Sequence, residues 1–174
     1  MKYALSSRLL HWIMAIIIFS TLALGIYMKE FLGDDSTNRY QIYDLHKSMG
    51  MVVLILLIVR IANRFIKTPP ALPSSISPLE QKLAKFGHLI LYVLMLTTPI
   101  SGYLMSSFAG YPVKLFSLEL PNLVGTNFTL AKICAEIHEI SAYALLGIVL
   151  IHILAVIKHR FFDRPENDVL KRII

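Results

Sequence analysis

Charged residues are scarce in this sequence. Asp, Glu, Lys and Arg together make up 16% of its 174 residues, against roughly 25% in ordinary soluble domains. Hydrophobic residues rise to 56%. One small soluble core cannot bury such an excess, whereas lipid accepts helices that are apolar all round. Cysteine is nearly absent. Cys134 stands alone, which excludes an intrachain disulfide and a cysteine-ligated cluster, and no CxxCH motif exists to attach a haem covalently. There is also no HExxH, the helical zinc-site signature. The net charge of +6 is read through where the cations fall, as membrane orientation and not as nucleic-acid binding.

What is present is a set of long uncharged runs. A spanning helix needs about 20 mostly apolar residues. Four segments qualify, at about 9–28, 45–65, 86–107 and 136–157, and they predict a single domain over 1–174: an all-α, four-helix, up-and-down transmembrane bundle. The first run is longer than a signal-peptide core and ends in Tyr27-Met28-Lys29 without a small-residue cleavage pattern, so it reads as a retained span. Between spans, Gly33-Asp34-Asp35-Ser36-Thr37-Asn38 is a polar turn. The stretch from Thr68-Pro69-Pro70 to Pro78 is too rich in proline to be helical throughout. The segment 108–135 carries Leu115, Phe116, Leu118 and Leu120, an apolar set suited to lying on the membrane or covering a site.

Four spans put both termini and the middle loop on one side. That side holds 12 of the 17 Lys and Arg residues, the other side 5. The positive-inside rule then makes both termini cytoplasmic. The outer side sets its five basic residues against seven acidic ones, a net of −2.

Six histidines occur, and all but His159 fall in or at the edges of spans, where ionisable side chains are costly and mark function. His138 and His152 lie 14 residues apart on the fourth span. That is about 40° short of four turns and about 21 Å along the axis, so one helix offers an imidazole near each membrane face. Helices enter the bilayer alternately from each side. His11 is therefore level with His152 near the inner face, and His46 with His138 near the outer face. Two imidazoles per iron, at two depths, suit two b-type haems that carry electrons across the bilayer. Zinc gathers three or four ligands at one depth. Zinc and purely structural packing are the competing readings.

The ordered motifs resemble the bacterial cytochrome b(561) family, four-helix di-haem proteins of the inner membrane. They are Arg8-Leu9-Leu10-His11-Trp12, Leu45-His46-Lys47-Ser48-Met49-Gly50, Gly87-His88-Leu89-Ile90-Leu91-Tyr92 with Pro99 and Ser101-Gly102-Tyr103, then His138, His152 and Lys158-His159-Arg160-Phe161-Phe162 with the 168–172 tail. The resemblance covers essentially the whole chain. It implies two non-covalent haem b groups axially ligated by His11, His46, His138 and His152, in a multi-pass protein of the bacterial inner membrane. It further implies exchange of electrons between a quinone, ubiquinone being the candidate, and another donor, superoxide among those of the family. Lys85 stands where certain relatives carry a second histidine three residues before the one matching His88.

Around these sites, Arg60 is expected to meet an inner-haem propionate. Lys47 is either an outer-haem contact or an interfacial lysine. His88 is a candidate for a propionate, a quinone or a bond between helices. His159 is a candidate for a quinone site or a solvated tail position. Trp12 reads as an interface anchor. Gly50, Gly102 and Gly147 leave room for close packing or a porphyrin face. Three functions follow: an electron carrier or quinone-linked oxidoreductase, an electron conduit for a periplasmic partner protein, or a non-redox membrane anchor or assembly factor. The acidic outer side does not favour steering an anion such as superoxide.

Overall fold

The computed structural model describes residues 2–33 and 35–174; Asp34, counted above in a polar turn and among the outer acids, lies outside the described residues. Four long helices dominate: α1 (Leu5–Glu30), α2 (Arg39–Ile66), α3 (Pro78–Phe108) and α4 (Phe128–Phe161). Each contains one of the expected spans and runs beyond it, because a span counts only the residues the hydrocarbon layer holds, while the helix continues into the polar interface. α4 has 34 residues, or about 50 Å at 1.5 Å per residue. Its early start follows from local chemistry: the Asn127 side chain accepts the Leu130 N–H at 3.1 Å, capping a turn that the apolar count left in the loop. α3 starts at the end of the proline-rich stretch, where Pro78 fits the first turn and Ser77 and Glu80 form a reciprocal capping box.

α1 packs on α2, α2 on α3 and α3 on α4, the last being the most extensive interface. Neither α1 with α4 nor α2 with α4 is among the closely packed helix pairs of the described residues. Much of the outer surface of the bundle is apolar, with Ile16, Ile58, Ile140, Ile151 and Leu154 all exposed, as expected of side chains that face lipid. The buried core is a thin layer at mid-height: Met14 and Ile18 of α1, Val53 and Leu57 of α2, Met95 of α3 and Leu145 of α4. Leu145 is seven residues from both His138 and His152, and Met95 seven from both His88 and Gly102. The layer is thus an apolar septum between two histidine levels.

Each end of the bundle is capped. At the end away from the termini, the one expected to face outward, the segment 109–127 contains a small hairpin, β1 (Lys114–Leu115) paired with β2 (Leu118–Glu119), a minor β addition to an otherwise helical chain. It is pinned by Ser48, which is 1% exposed and accepts the Phe116 N–H at 2.8 Å, with the Lys114 and Asp44 carbonyls at 2.9 and 2.7 Å. Phe116 at the tip has φ 56°, a left-handed turn conformation. At the opposite end, the one expected to face inward, the tail folds back through two short 3-10 turns, Pro165–Asn167 and Leu170–Arg172. Tyr3 N–H donates to the Arg172 carbonyl at 3.0 Å, Trp12 Nε1–H to the Ile173 carbonyl at 3.1 Å, and the Arg172 guanidinium to the carbonyls of Pro70 and Ala71 at 3.0 and 2.7 Å. Trp12 therefore does more than anchor at an interface; it holds the tail.

Candidate functional site

Above the septum, His46 of α2 faces His138 of α4 with ring centres 6.1 Å apart and planes at 85°. These two helices are not in close contact, and between them lies a cavity of about 420 Å³ lined by His46, His138, Lys47, Gly25, Gly50 and Gly102, among others. Val113 of the outer segment is buried against it, so the segment covers a site. His138 Nδ1 lies 2.8 Å from the Thr98 carbonyl. A carbonyl only accepts, so Nδ1 carries the proton and Nε2 keeps its lone pair. A Cβ on Gly102 would come within 2.9 Å of His138, and one on Gly25 within 3.1 Å of His46. Gly50 and Gly147 have open space where a Cβ would stand, Gly50 at the cavity wall, while the glycines that a histidine ring approaches closely are Gly102 and Gly25. The latter was not singled out from the sequence, although Thr21 and Gly25 repeat the spacing of Thr98 and Gly102.

Below the septum, His152 of α4 stands between two imidazoles. His11 of α1 is 6.4 Å away and His88 of α3 is 5.7 Å away, centre to centre. Arg60 reaches this cluster. Its Nη2 lies 3.2 Å from His11 Nδ1, and its Nε donates to the Tyr92 hydroxyl at 3.3 Å, while Arg64 lies over the Tyr92 ring at 5.9 Å. Tyr92 enters from the sequence only as the end of the motif at 87–92 and is given no role there; its position four residues, one helical turn, after His88 is the further signal. Lys47 is engaged elsewhere than expected of a pure interface lysine, donating to the Pro112 carbonyl at 3.0 Å and lying 3.6 Å from Asp44.

His159 is not a solvated tail residue. Its side chain is 13% exposed and Nδ1 lies 2.8 Å from Asp163. The Arg164 backbone N–H, the Asn167 side chain and His159 together hold the Asp163 carboxyl down to about 2. Burial works against ionisation of Asp168, but Arg160 and the Lys171 backbone overcome it and keep that carboxyl below its usual value. Among the described residues no three His, Cys, Asp or Glu side chains are grouped so as to hold one metal ion, the arrangement that the zinc reading calls for.

The family profile for prokaryotic cytochrome b561 matches residues 2–174. The chain is 32% identical to "Cytochrome b561 homolog 2" of Escherichia coli (strain K12), covering 99% of this chain and 91% of that protein. It is 27% identical to "Probable superoxide oxidase CybB" of Yersinia pestis over 98% and 94% of the two chains. It is 21% identical to "Cytochrome b561 homolog 1" of Escherichia coli (strain K12) over 98% and 96%.

Proposed function

The chain belongs to the prokaryotic cytochrome b561 family, whose members bind haem b and transfer electrons in the membrane, and on that premise we propose that it holds two haems and moves electrons across the bilayer to or from the quinone pool. His46 and His138 hold the outer haem, His11 and His152 the inner one. Bound haem b supplies an iron that takes up and gives back one electron.

The observation that carries this reading is the spacing of the imidazole pairs, 6.1 and 6.4 Å. Two imidazoles on opposite sides of one metal, at roughly 2 Å per metal–nitrogen bond, put their ring centres about 6 Å apart. The fit is supported by the cavity beside His46 and His138, by the bare ligand nitrogen of His138, and by glycines where a side chain would strike either ring. At the inner level the spacing alone does not choose between His11 and His88. The packing supports His11: His88 and His152 sit on the most extensively packed pair of helices, whereas α1 and α4 are not closely packed. His88 then stands beside the inner haem, a position suited to a quinone or a proton path, and the paired His159 and Asp163 stand at the inner mouth. The septum keeps water from the space between the two levels, and the hairpin does the same at the outer end. Arg60 is the propionate partner of the inner haem, with Lys47 at the outer one.

We place the protein in the bacterial inner membrane with both termini cytoplasmic, since 12 of the 17 basic residues lie on their side. Superoxide oxidation, the activity in one relative's name, is less favoured here. On the outer side Lys29 is paired with Glu139 and Lys114 with Asp44, so these two cations form no bare patch to draw an anion. A periplasmic redox protein remains the alternative partner.

Purified protein should carry two extractable b haems per chain, measured as a haem-to-protein ratio. His46→Ala and His138→Ala should each remove the same spectral component, and His11→Ala and His152→Ala the other. Loss of the inner component in His88→Ala with its retention in His11→Ala would overturn the inner pairing. Failure of a ubiquinol analogue to reduce the intact protein, with both haems present, would overturn the quinone reading and favour the periplasmic conduit.

A further inference from the structure

The two outer histidines are received by the same local structure on two different helices. α1 carries Thr21 and Gly25, and α3 carries Thr98 and Gly102, the same Thr-x-x-x-Gly spacing. Four residues are about one turn, so the threonine carbonyl and the glycine Cα lie on one face of the helix. The ring of His138 occupies that face of α3. Its Nδ1 is 2.8 Å from the Thr98 carbonyl, and a Cβ on Gly102 would stand 2.9 Å from both its Cε1 and its Nδ1. The ring of His46 lies on the matching face of α1. A Cβ on Gly25 would stand 3.1 Å from its Cε1, and its buried Nδ1 has the Thr21 backbone beside it without a well-formed hydrogen bond. In each case the receiving helix immediately precedes, in the chain, the helix that bears the histidine.

We propose that the Thr21–Gly25 and Thr98–Gly102 turns are paired positioning elements that set the orientation and proton of the two outer histidines. Glycine removes the one atom that would push the ring off the helix. The Thr98 carbonyl takes the His138 Nδ1 proton and leaves its Nε2 as the ligand nitrogen, and the Thr21 carbonyl is placed to do the same when His46 seats against Gly25. Threonine is not needed for its hydroxyl, because the carbonyl belongs to the backbone; glycine is needed, because every other residue brings a Cβ. This inference rests on the reading that His46 and His138 are axial ligands. An imidazole whose Nδ1–H is given to a carbonyl is the more electron-rich ligand and favours the oxidised iron.

The test is Gly102→Ala in the full-length, haem-loaded protein, with Gly25→Ala as a second variant and Gly87→Ala as a control, since nothing lies within 4 Å of a Cβ there. The readouts are redox titration and low-temperature electron paramagnetic resonance of each haem. Gly102→Ala should raise the midpoint potential of the outer haem and shift its low-spin g values, leaving the inner haem unchanged. Gly25→Ala should give the outer haem a smaller g-value shift, since a 3.1 Å contact yields with a slight movement. Gly87→Ala should resemble the native protein. Native values for the outer haem in Gly102→Ala, or equal shifts at both haems, would overturn the proposal. If Gly102→Ala does not fold, Gly25→Ala decides by the same criteria. His138→Ala separates the two claims: retention of the outer component in that variant would overturn the ligand assignment, whereas its loss alongside a native Gly102→Ala would overturn the positioning role alone.

Discussion

Arg60 and His138 show how much a single hydrogen-bond direction decides. A guanidinium only donates, so the 3.2 Å contact from Arg60 makes His11 Nδ1 an acceptor, whereas the Thr98 carbonyl makes His138 Nδ1 a donor. Ligation through Nε2 puts the proton on Nδ1, which His138 already satisfies and His11 does not. The Arg60–His11 contact and iron ligation by His11 are therefore mutually exclusive, and a released guanidinium suits a propionate. Arg60→Met should lower the midpoint potential of the inner haem, because removing a nearby cation favours the oxidised state. The effect should be on the order of 1 kcal/mol, about 40 mV for one electron, read by redox titration, with Arg60→Lys intermediate. An unchanged potential would leave Arg60 a helix-packing residue tied to Tyr92.

The elements at the two ends are held by few but buried polar contacts. Ser48 is the pin of the outer hairpin, and Ser48→Ala would leave the Phe116 N–H without its partner. Such a loss costs about 1–3 kcal/mol. The variant should show faster amide exchange over 111–120 and a lower melting temperature, with exchange in α3 and α4 unchanged. The inner tail depends on carboxylates instead. Asp163 is held down to about 2 from an ordinary value of 3.8, and Asp168 is lowered as well. A depressed folded-state value contributes stability that is present above the ordinary value and lost as pH falls through the folded one. Tail docking should therefore be complete at pH 6 and fail between about pH 4 and pH 2, seen as loss of exchange protection over 165–174 after correction for intrinsic rates. Asp168→Asn should move that loss to higher pH.

At the scale of the whole molecule, two histidine levels are divided by one apolar layer and closed by a cap at each end. That plan is what electron passage without water or ion leakage needs, because the septum of Met14, Leu57, Met95 and Leu145 offers no polar group to carry a proton. The charge distribution orients it. A reporter fused after Ile174 should give cytoplasmic activity, and a fusion in the segment 109–127 should give the periplasmic signal. The reverse pattern would exchange the inner and outer haems without altering the pairs.

Hydrophobicity and histidine register are one-dimensional quantities, which is why they were legible in the sequence. A 20-residue apolar run states a span, 14 residues between His138 and His152 state two depths on one helix face, and alternating helix direction states which histidines share a level. The helix ends were less legible, because Asn127 and Ser77 begin turns that hydropathy does not register. What the sequence could not decide was contact between helices. That His88 lies nearer His152 than His11 does, that Arg60 turns to His11 and Tyr92, that Gly25 receives His46, and that His159 is sheltered by Asp163 all depend on the rotation and spacing of packed helices. Those are set by the sum of many side-chain contacts, and no local pattern along the chain records them.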